Sequence, residues 1–179
     1  MKIFCVSGKA GSGKDTFADM LEEELTMRGE KVLITHYADL LKYICKTFFR
    51  WNGEKDGFGR SLLQWVGTDV VREKNPDFWV DFLIAILGFF QDRWTSVIIP
   101  DCRFENEIEN LQCHTEWTVI PVRMVREEAN VLSDEQRLHP SETSLDDFPF
   151  QFVIENTGTL EQLRDSAEVF AEHIKLRYD

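Results

Sequence analysis

Nine residues near the start, Gly8-Lys9-Ala10-Gly11-Ser12-Gly13-Lys14-Asp15-Thr16, carry the sharpest chemical signal in the sequence. Glycines at this spacing let backbone N–H groups turn inward around a ligand, and Lys14 can reach the oxygens of its outer phosphates. The apolar run Lys2–Val6 before the loop reads as a strand and the residues after it as a helix, whose positive dipole end adds to the same anion site. The position after Lys14, where many nucleotide hydrolases place a magnesium-binding hydroxyl, holds Asp15, and the hydroxyl follows at Thr16. Magnesium is therefore expected to be held by phosphates and waters, with Asp15 a favourable charge in the first helical turn.

A second constellation is Val97-Ile98-Ile99-Pro100-Asp101-Cys102-Arg103-Phe104-Glu105-Asn106-Glu107, just past the carboxyl end of an apolar strand, where open α/β sheets bind ligands. Asp101 is expected to orient a metal-bound water and Arg103 to hold an acceptor phosphate. The alternative makes Asp101 a helix cap and Arg103 the i,i+4 partner of Glu107. In Ala38–Lys42, in Leu63–Arg72 and at Trp79, polar residues able to read a base edge and a phosphate interleave with apolar ones. Trp and Leu here could equally be core, and Lys42 with Lys46 a solvated helix face. Arg123, Arg126, Arg137 and His139-Pro140-Ser141-Glu142-Thr143 supply cations able to close over a transferring phosphoryl group, or form a charged surface loop. Thr143 with Asp146 reads equally as a helix cap.

These groups need a scaffold, and the pattern supplies one. Apolar runs at Lys2–Val6, Lys31–His36, Ser96–Ile99, Thr118–Val122 and Phe152–Glu155 alternate with helical patterns, which predicts a parallel α/β sheet of about five strands. The first helix carries Phe17, Leu21 and Leu25 on one face; the last repeats Leu160, Leu163, Ala167, Phe170 and Ile174, with Thr159 and Gln162 as a capping box. About sixty residues separate the second and third strands, more than a crossover helix needs, which predicts an acceptor-binding insertion at about 38–94. A second excess predicts a lid at about 124–149, within a single domain spanning 1–179.

A net charge of −12 and a pI near 4.8 argue against polymeric nucleic acid as a partner, while a small anion needs only a local basic pocket. The longest apolar run, Phe82–Phe90, is too short to span a bilayer and reads as a buried core helix. Cys5, Cys45, Cys102 and Cys113 lack metal-ligand spacing and are expected to be reduced, mostly buried packing residues. With no charged leader before the first strand, a cytoplasmic protein is expected.

Together these segments resemble the phage-type deoxynucleoside monophosphate kinases, of the adenylate-kinase-like group. The likeness runs through GKAGSGKDT, ADLLK, LLQWVGTDVVREKNPDFW, PDCRFENE, HPSET and VIENTGTLEQL. It implies a three-layer P-loop kinase fold, with ATP and Mg²⁺ as cofactors, nucleotides as small-molecule partners, no membrane, and a homodimer left open. It places Gly11, Ser12, Gly13, Lys14, Asp15 and Thr16 on the donor phosphates and Thr157 and Gly158 beside the adenine. Asp39, Lys42, Gln64, Thr68, Arg72, Trp79 and Arg103 would form the acceptor side, and Arg126 and His139 the lid, with Lys14, Arg103, Arg126 and Asp101 as the catalytic set. Kinases for phosphomevalonate or dephospho-coenzyme A share much of the pattern, and a nonenzymatic ATP-binding module is the rival from another class.

Overall fold

Strands β1 (Lys2–Ser7), β2 (Val32–Ile34), β3 (Ser96–Cys102), β4 (Thr118–Val125) and β5 (Phe152–Glu155) pair in parallel in the order β2-β3-β1-β4-β5. The computed structural model describes residues 1–126 and 137–178. In the register, Phe4 lies opposite Ile98 on one side and Ile120 on the other, and Ile3 opposite Val97 and Val119, so the central rows of side chains across the sheet are apolar. Because strand side chains alternate, Phe4 and Val6 face one layer and Ile3 and Cys5 the other.

Phe17, Leu21 and Leu25 of α1 (Lys14–Met27) and Leu163, Ala167, Phe170 and Ile174 of α7 (Leu160–Tyr178) cover the first face. The opposite face packs against Trp79, Val80, Leu83 and Leu87 of α4 (Phe78–Phe89) and Ile108 and Leu111 of α5 (Glu105–Gln112). Each of the Val, Leu, Ile and Phe side chains among them contributes about 1.5–3 kcal/mol relative to exposure. The capping box forms as predicted: Thr159 N–H donates to Gln162 Oε1 at 2.8 Å and Gln162 N–H to Thr159 Oγ1 at 3.3 Å.

Between β2 and β3 stand α2 (Ala38–Phe49), α3 (Gly57–Gln64), a π-helical continuation at Trp65–Arg72, and α4. This insertion has a small core of its own, Cys45, Trp51 and Val66, with Leu62 and Leu63 packed against it.

Several expectations are corrected. The Phe82–Phe90 helix is buried on one stripe only: Leu83 and Leu87 are inside, whereas Phe82, Phe89 and Phe90 are 44%, 81% and 49% exposed. A helix lying on one sheet face buries one stripe, whatever the composition of the other. Leu160 is likewise exposed, in the first turn of α7. β4 reaches Val125, so Arg123 belongs to the sheet and not to the lid; it donates to Ser7 Oγ at 3.1 Å and to Asp146 Oδ1 at 2.8 Å. Asp146 is thereby committed to Arg123 and Lys9, not to a cap with Thr143. Within the predicted lid, 127–136 lie outside the described residues, and the short helix α6 (Pro140–Thr143) follows. Cys5, Cys45 and Cys102 are buried free thiols and Cys113 is an exposed one. No helix among the described residues is long and apolar enough to cross a membrane.

Candidate active site

At the carboxyl ends of β1 and β3 a cleft of about 500 Å³ opens, within the range of small-molecule sites. One wall is the glycine loop. Gly13 sits at φ 91°, and a Cβ there would lie 2.4 Å from Asn156 Nδ2, so both the backbone and the space demand glycine. Asn156 in turn donates to Ser12 O at 2.9 Å, tying the loop to the turn that carries Thr157 and Gly158. Gly11, Lys14 and Asp15 line the cleft. Lys14 Nζ bridges Gly8 O at 2.8 Å and Lys9 O at 3.0 Å. Burial, reinforced by the Arg103 guanidinium, pushes its pKa down to about 8, against the pull of Glu142, Asp15 and Asp101.

Beside the loop, His36 stands between two carboxylates, 3.6 Å from Asp15 Oδ1 and 3.5 Å from Asp39 Oδ2. The His36–Asp15 contact raises the imidazole pKa and lowers that of Asp15. For Asp39, burial pushes upward, but the Lys42 ammonium at 3.0 Å and His36 together outweigh it and the carboxyl is held low.

The facing wall comes from the insertion and from α5. Gln64, Thr68 and Arg72, four residues apart on α3 and its π-helical continuation, line the cleft with Trp79. Trp79 is buried, and its Nε1 donates to Gly67 O at 3.0 Å. Arg72 lies over the Phe104 ring at 3.9 Å and donates to Glu107 Oε1 at 2.5 Å and Asn106 Oδ1 at 3.0 Å. The guanidinium paired with Glu107 is therefore that of Arg72; Arg103 gives Glu107 only its backbone N–H, at 2.6 Å. Burial pushes the Glu107 carboxyl up to about 7, opposed by Arg72 and the Arg103 N–H.

Asp101 accepts the backbone N–H groups of Tyr37 at 3.0 Å and Ala38 at 2.9 Å; it therefore caps α2 across the fold and not the helix that follows it, α5, whose N-cap is Phe104, and Asp101 also lines the cleft. Arg103 lines the cleft too, and its Nη1 donates to Ser141 O at 2.9 Å and pairs with Glu142 Oε1. Arg126 is exposed just past the end of β4. His139 starts α6, its Nδ1 accepting the Ser141 N–H at 3.2 Å. Thr157 and Gly158 are exposed beyond β5.

A phosphate-type loop and two anchored arginines therefore share one cleft. The profile of the deoxynucleotide monophosphate kinase family matches residues 34–167. The chain belongs to that family. It is accordingly a nucleoside monophosphate kinase-type phosphotransferase, and its reaction is ATP-dependent transfer to a deoxynucleotide monophosphate. Among solved structures it is similar to "Crystal structure of APE1195", at 15% identity and TM-score 0.55, covering 97% of this chain and 96% of that one. It is also similar to the dephospho-CoA kinase from Campylobacter jejuni, at 16% identity and TM-score 0.52, covering 97% of this chain and 98% of that one. At these identities the likeness shows the fold. No curated protein sequence matches the chain.

For this kinase the sequence reading left out His36, Tyr37, Lys55, Arg60, Phe104 and Glu142, all of which line the cleft. Glu142 had a signal, since it lies inside the HPSET segment. Lys55 lies inside, and Arg60 just after, the polar, glycine-containing stretch Asn52–Gly59, which composition marks only as a turn.

Proposed function

We propose that ATP lies along the Gly8–Thr16 loop, with its phosphates on the backbone N–H groups and Lys14, and its adenine beside Thr157 and Gly158. The deoxynucleoside monophosphate lies against Trp79, Gln64 and Thr68, with its phosphate toward Arg72 and Arg103, and Asp39 with Lys42 closes the rim. The observation that carries this reading is that Arg72 and Arg103 line the same cleft as Lys14, so a second phosphate can meet the first.

The acceptor oxygen belongs to a phosphate whose second pKa is about 6, so it is already anionic at neutral pH and needs no strong general base. The barrier is the mutual repulsion of two phosphates held in line, and Lys14, Arg72 and Arg103 lower it by opposing that charge from fixed positions. Arg126, past β4, is proposed to join them when the lid segment closes, which also keeps water from taking the phosphoryl group.

Magnesium fits the donor set as a cation arriving with the nucleotide. Asp15 and Asp101 offer hard oxygens near Lys14, yet the described residues contain no group of three metal-ligating side chains. Asp101 already accepts two N–H groups and would hold such an ion through a water. Bound there, the ion would add charge neutralisation between the phosphates.

The test is product formation from ATP with each deoxynucleoside monophosphate and ribonucleoside monophosphate in turn, with dephospho-coenzyme A as a further acceptor. A diphosphate product with at least one deoxynucleotide supports the reading; turnover with dephospho-coenzyme A alone sinks it.

A further inference from the structure

Glu142 has no role in the scheme above, yet its side chain is only 5% exposed and stands where the donor and acceptor walls meet. Oε2 accepts the Ala10 N–H of the phosphate loop at 3.1 Å, and Oε1 pairs with Arg103 Nη1. The backbone carbonyl of Glu142 accepts Lys9 Nζ at 2.6 Å. One residue thus joins the loop after β1, the end of β3 and α6, three segments far apart in sequence. Its own position is set locally, since Glu142 N–H donates to His139 O at 2.8 Å within a helical turn that Pro140 opens.

Arg103 and Lys14 lie close enough to repel: burial is the main cause of the lowered Lys14 pKa, and the Arg103 guanidinium adds to it. Two cations facing one cleft hold their places before any phosphate arrives only if something opposes their charge, and a flexible arginine otherwise spreads over several rotamers. Glu142 supplies that opposition, and it grips Arg103 through Nη1, the nitrogen that Ser141 O also occupies. The remaining guanidinium N–H groups are left to serve a phosphate.

We propose that Glu142 is a positioning residue for phosphoryl transfer: it fixes the Arg103 guanidinium at the acceptor phosphate and, through Ala10, holds it in register with the donor loop. This inference rests on the reading of Arg103 as a cation for the acceptor phosphate. It makes the HPSET segment a structural link between the two substrates and not only a source of lid cations.

The experiment compares wild type, Glu142→Gln, Glu142→Asp, Arg103→Ala and the double variant Glu142→Gln/Arg103→Ala. Readouts are kcat and KM for ATP and for a deoxynucleoside monophosphate, with thermal unfolding. Glu142→Gln keeps the volume and an acceptor for Ala10 N–H but removes the charge. It is expected to lower kcat/KM for the acceptor by about 30-fold or more, while the KM for ATP moves less than about threefold. Glu142→Asp, which keeps the charge, recovers part of the loss and carries the test if the Gln variant does not fold. The double variant is expected to be no slower than Arg103→Ala within about threefold, because Glu142 acts through that arginine. Wild-type activity in folded Glu142→Gln, or additive losses in the double variant, overturns the inference. An inactive wild type overturns the kinase reading itself. An active wild type with an unimpaired Arg103→Ala overturns the role of Arg103 and this inference with it.

Discussion

Lys14 is a lysine whose charge is conditional. With its pKa down at about 8 in the free protein, it is charged at pH 7 but has lost most of its proton by pH 9. With ATP placed on Lys14 as proposed, phosphates favour the charged form and binding above pH 8 takes up a proton; the Kd is expected to rise about tenfold between pH 8.5 and 9.5. Lys14→Arg, which stays charged, is expected to show no such rise even if it binds more weakly, and calorimetric titration at each pH distinguishes the two. Lys14→Met is expected to abolish transfer without lowering Tm at pH 7, since the folded state there carries a poorly solvated charge. Glu107 titrates in the opposite sense. Its folded pKa of about 7 exceeds the ordinary 4.5, so its contribution to stability is fully present below pH 4.5 and is lost as pH rises through 7. Its ion pair with Arg72 needs the charged form. KM for the acceptor is therefore expected to climb as pH falls from 8 to 6. In Glu107→Gln it should be raised throughout and follow only the substrate's own phosphate, with a pKa of about 6. A Glu107→Gln profile identical to wild type refutes this account.

At the scale of elements, two caps make a controlled comparison. Thr159 caps α7 and does not line the cleft, so Thr159→Ala is expected to cost about 1 kcal/mol by denaturant unfolding with kcat and the KM for the acceptor unchanged. Asp101 caps α2 from a neighbouring strand and also lines the cleft; Asp101→Asn should cost a similar amount and lower kcat as well. Equal kinetic silence in both variants would reduce Asp101 to a cap. The same contrast explains what was readable in the sequence. Thr159 and Gln162 are three apart, and short continuous apolar runs mark β1, β3 and β4, because both patterns are local. The Gly8–Thr16 loop was legible for the same reason. Asp101 contacts Tyr37 and Ala38, Arg72 contacts Glu107, and Arg103 contacts Glu142; all three pairings cross 30 or more positions, and charge alone does not say which partner wins. The exposed stripe of α4 was misjudged because composition reports apolarity, whereas burial depends on having a layer to lie against. The π-helical turns at Trp65–Arg72 leave no periodicity distinct from an α-helix over so few residues.

On the scale of the whole molecule, the two walls of the cleft rest on different cores. The phosphate loop is anchored on β1 and α1 and so inherits the stability of the sheet, whereas much of the acceptor wall depends on the insertion with its own small cluster of Cys45, Trp51 and Val66. Trp51 is 5% exposed and its Nε1 donates to Glu54 O at 2.9 Å, so Trp51→Ala removes both the filling and a tie of this satellite core. Such a truncation costs about 3–5 kcal/mol where it falls, enough to loosen a three-residue cluster while leaving the sheet folded. The expected outcome is a KM for the deoxynucleoside monophosphate raised by about tenfold or more, an ATP Kd within about threefold of wild type, and amide exchange accelerated across α2 and α3 but not across β1, β3 and α1. If ATP binding and sheet protection fall together with acceptor affinity, the insertion and the sheet unfold as one cooperative unit, and the donor and acceptor sites do not have separable stabilities.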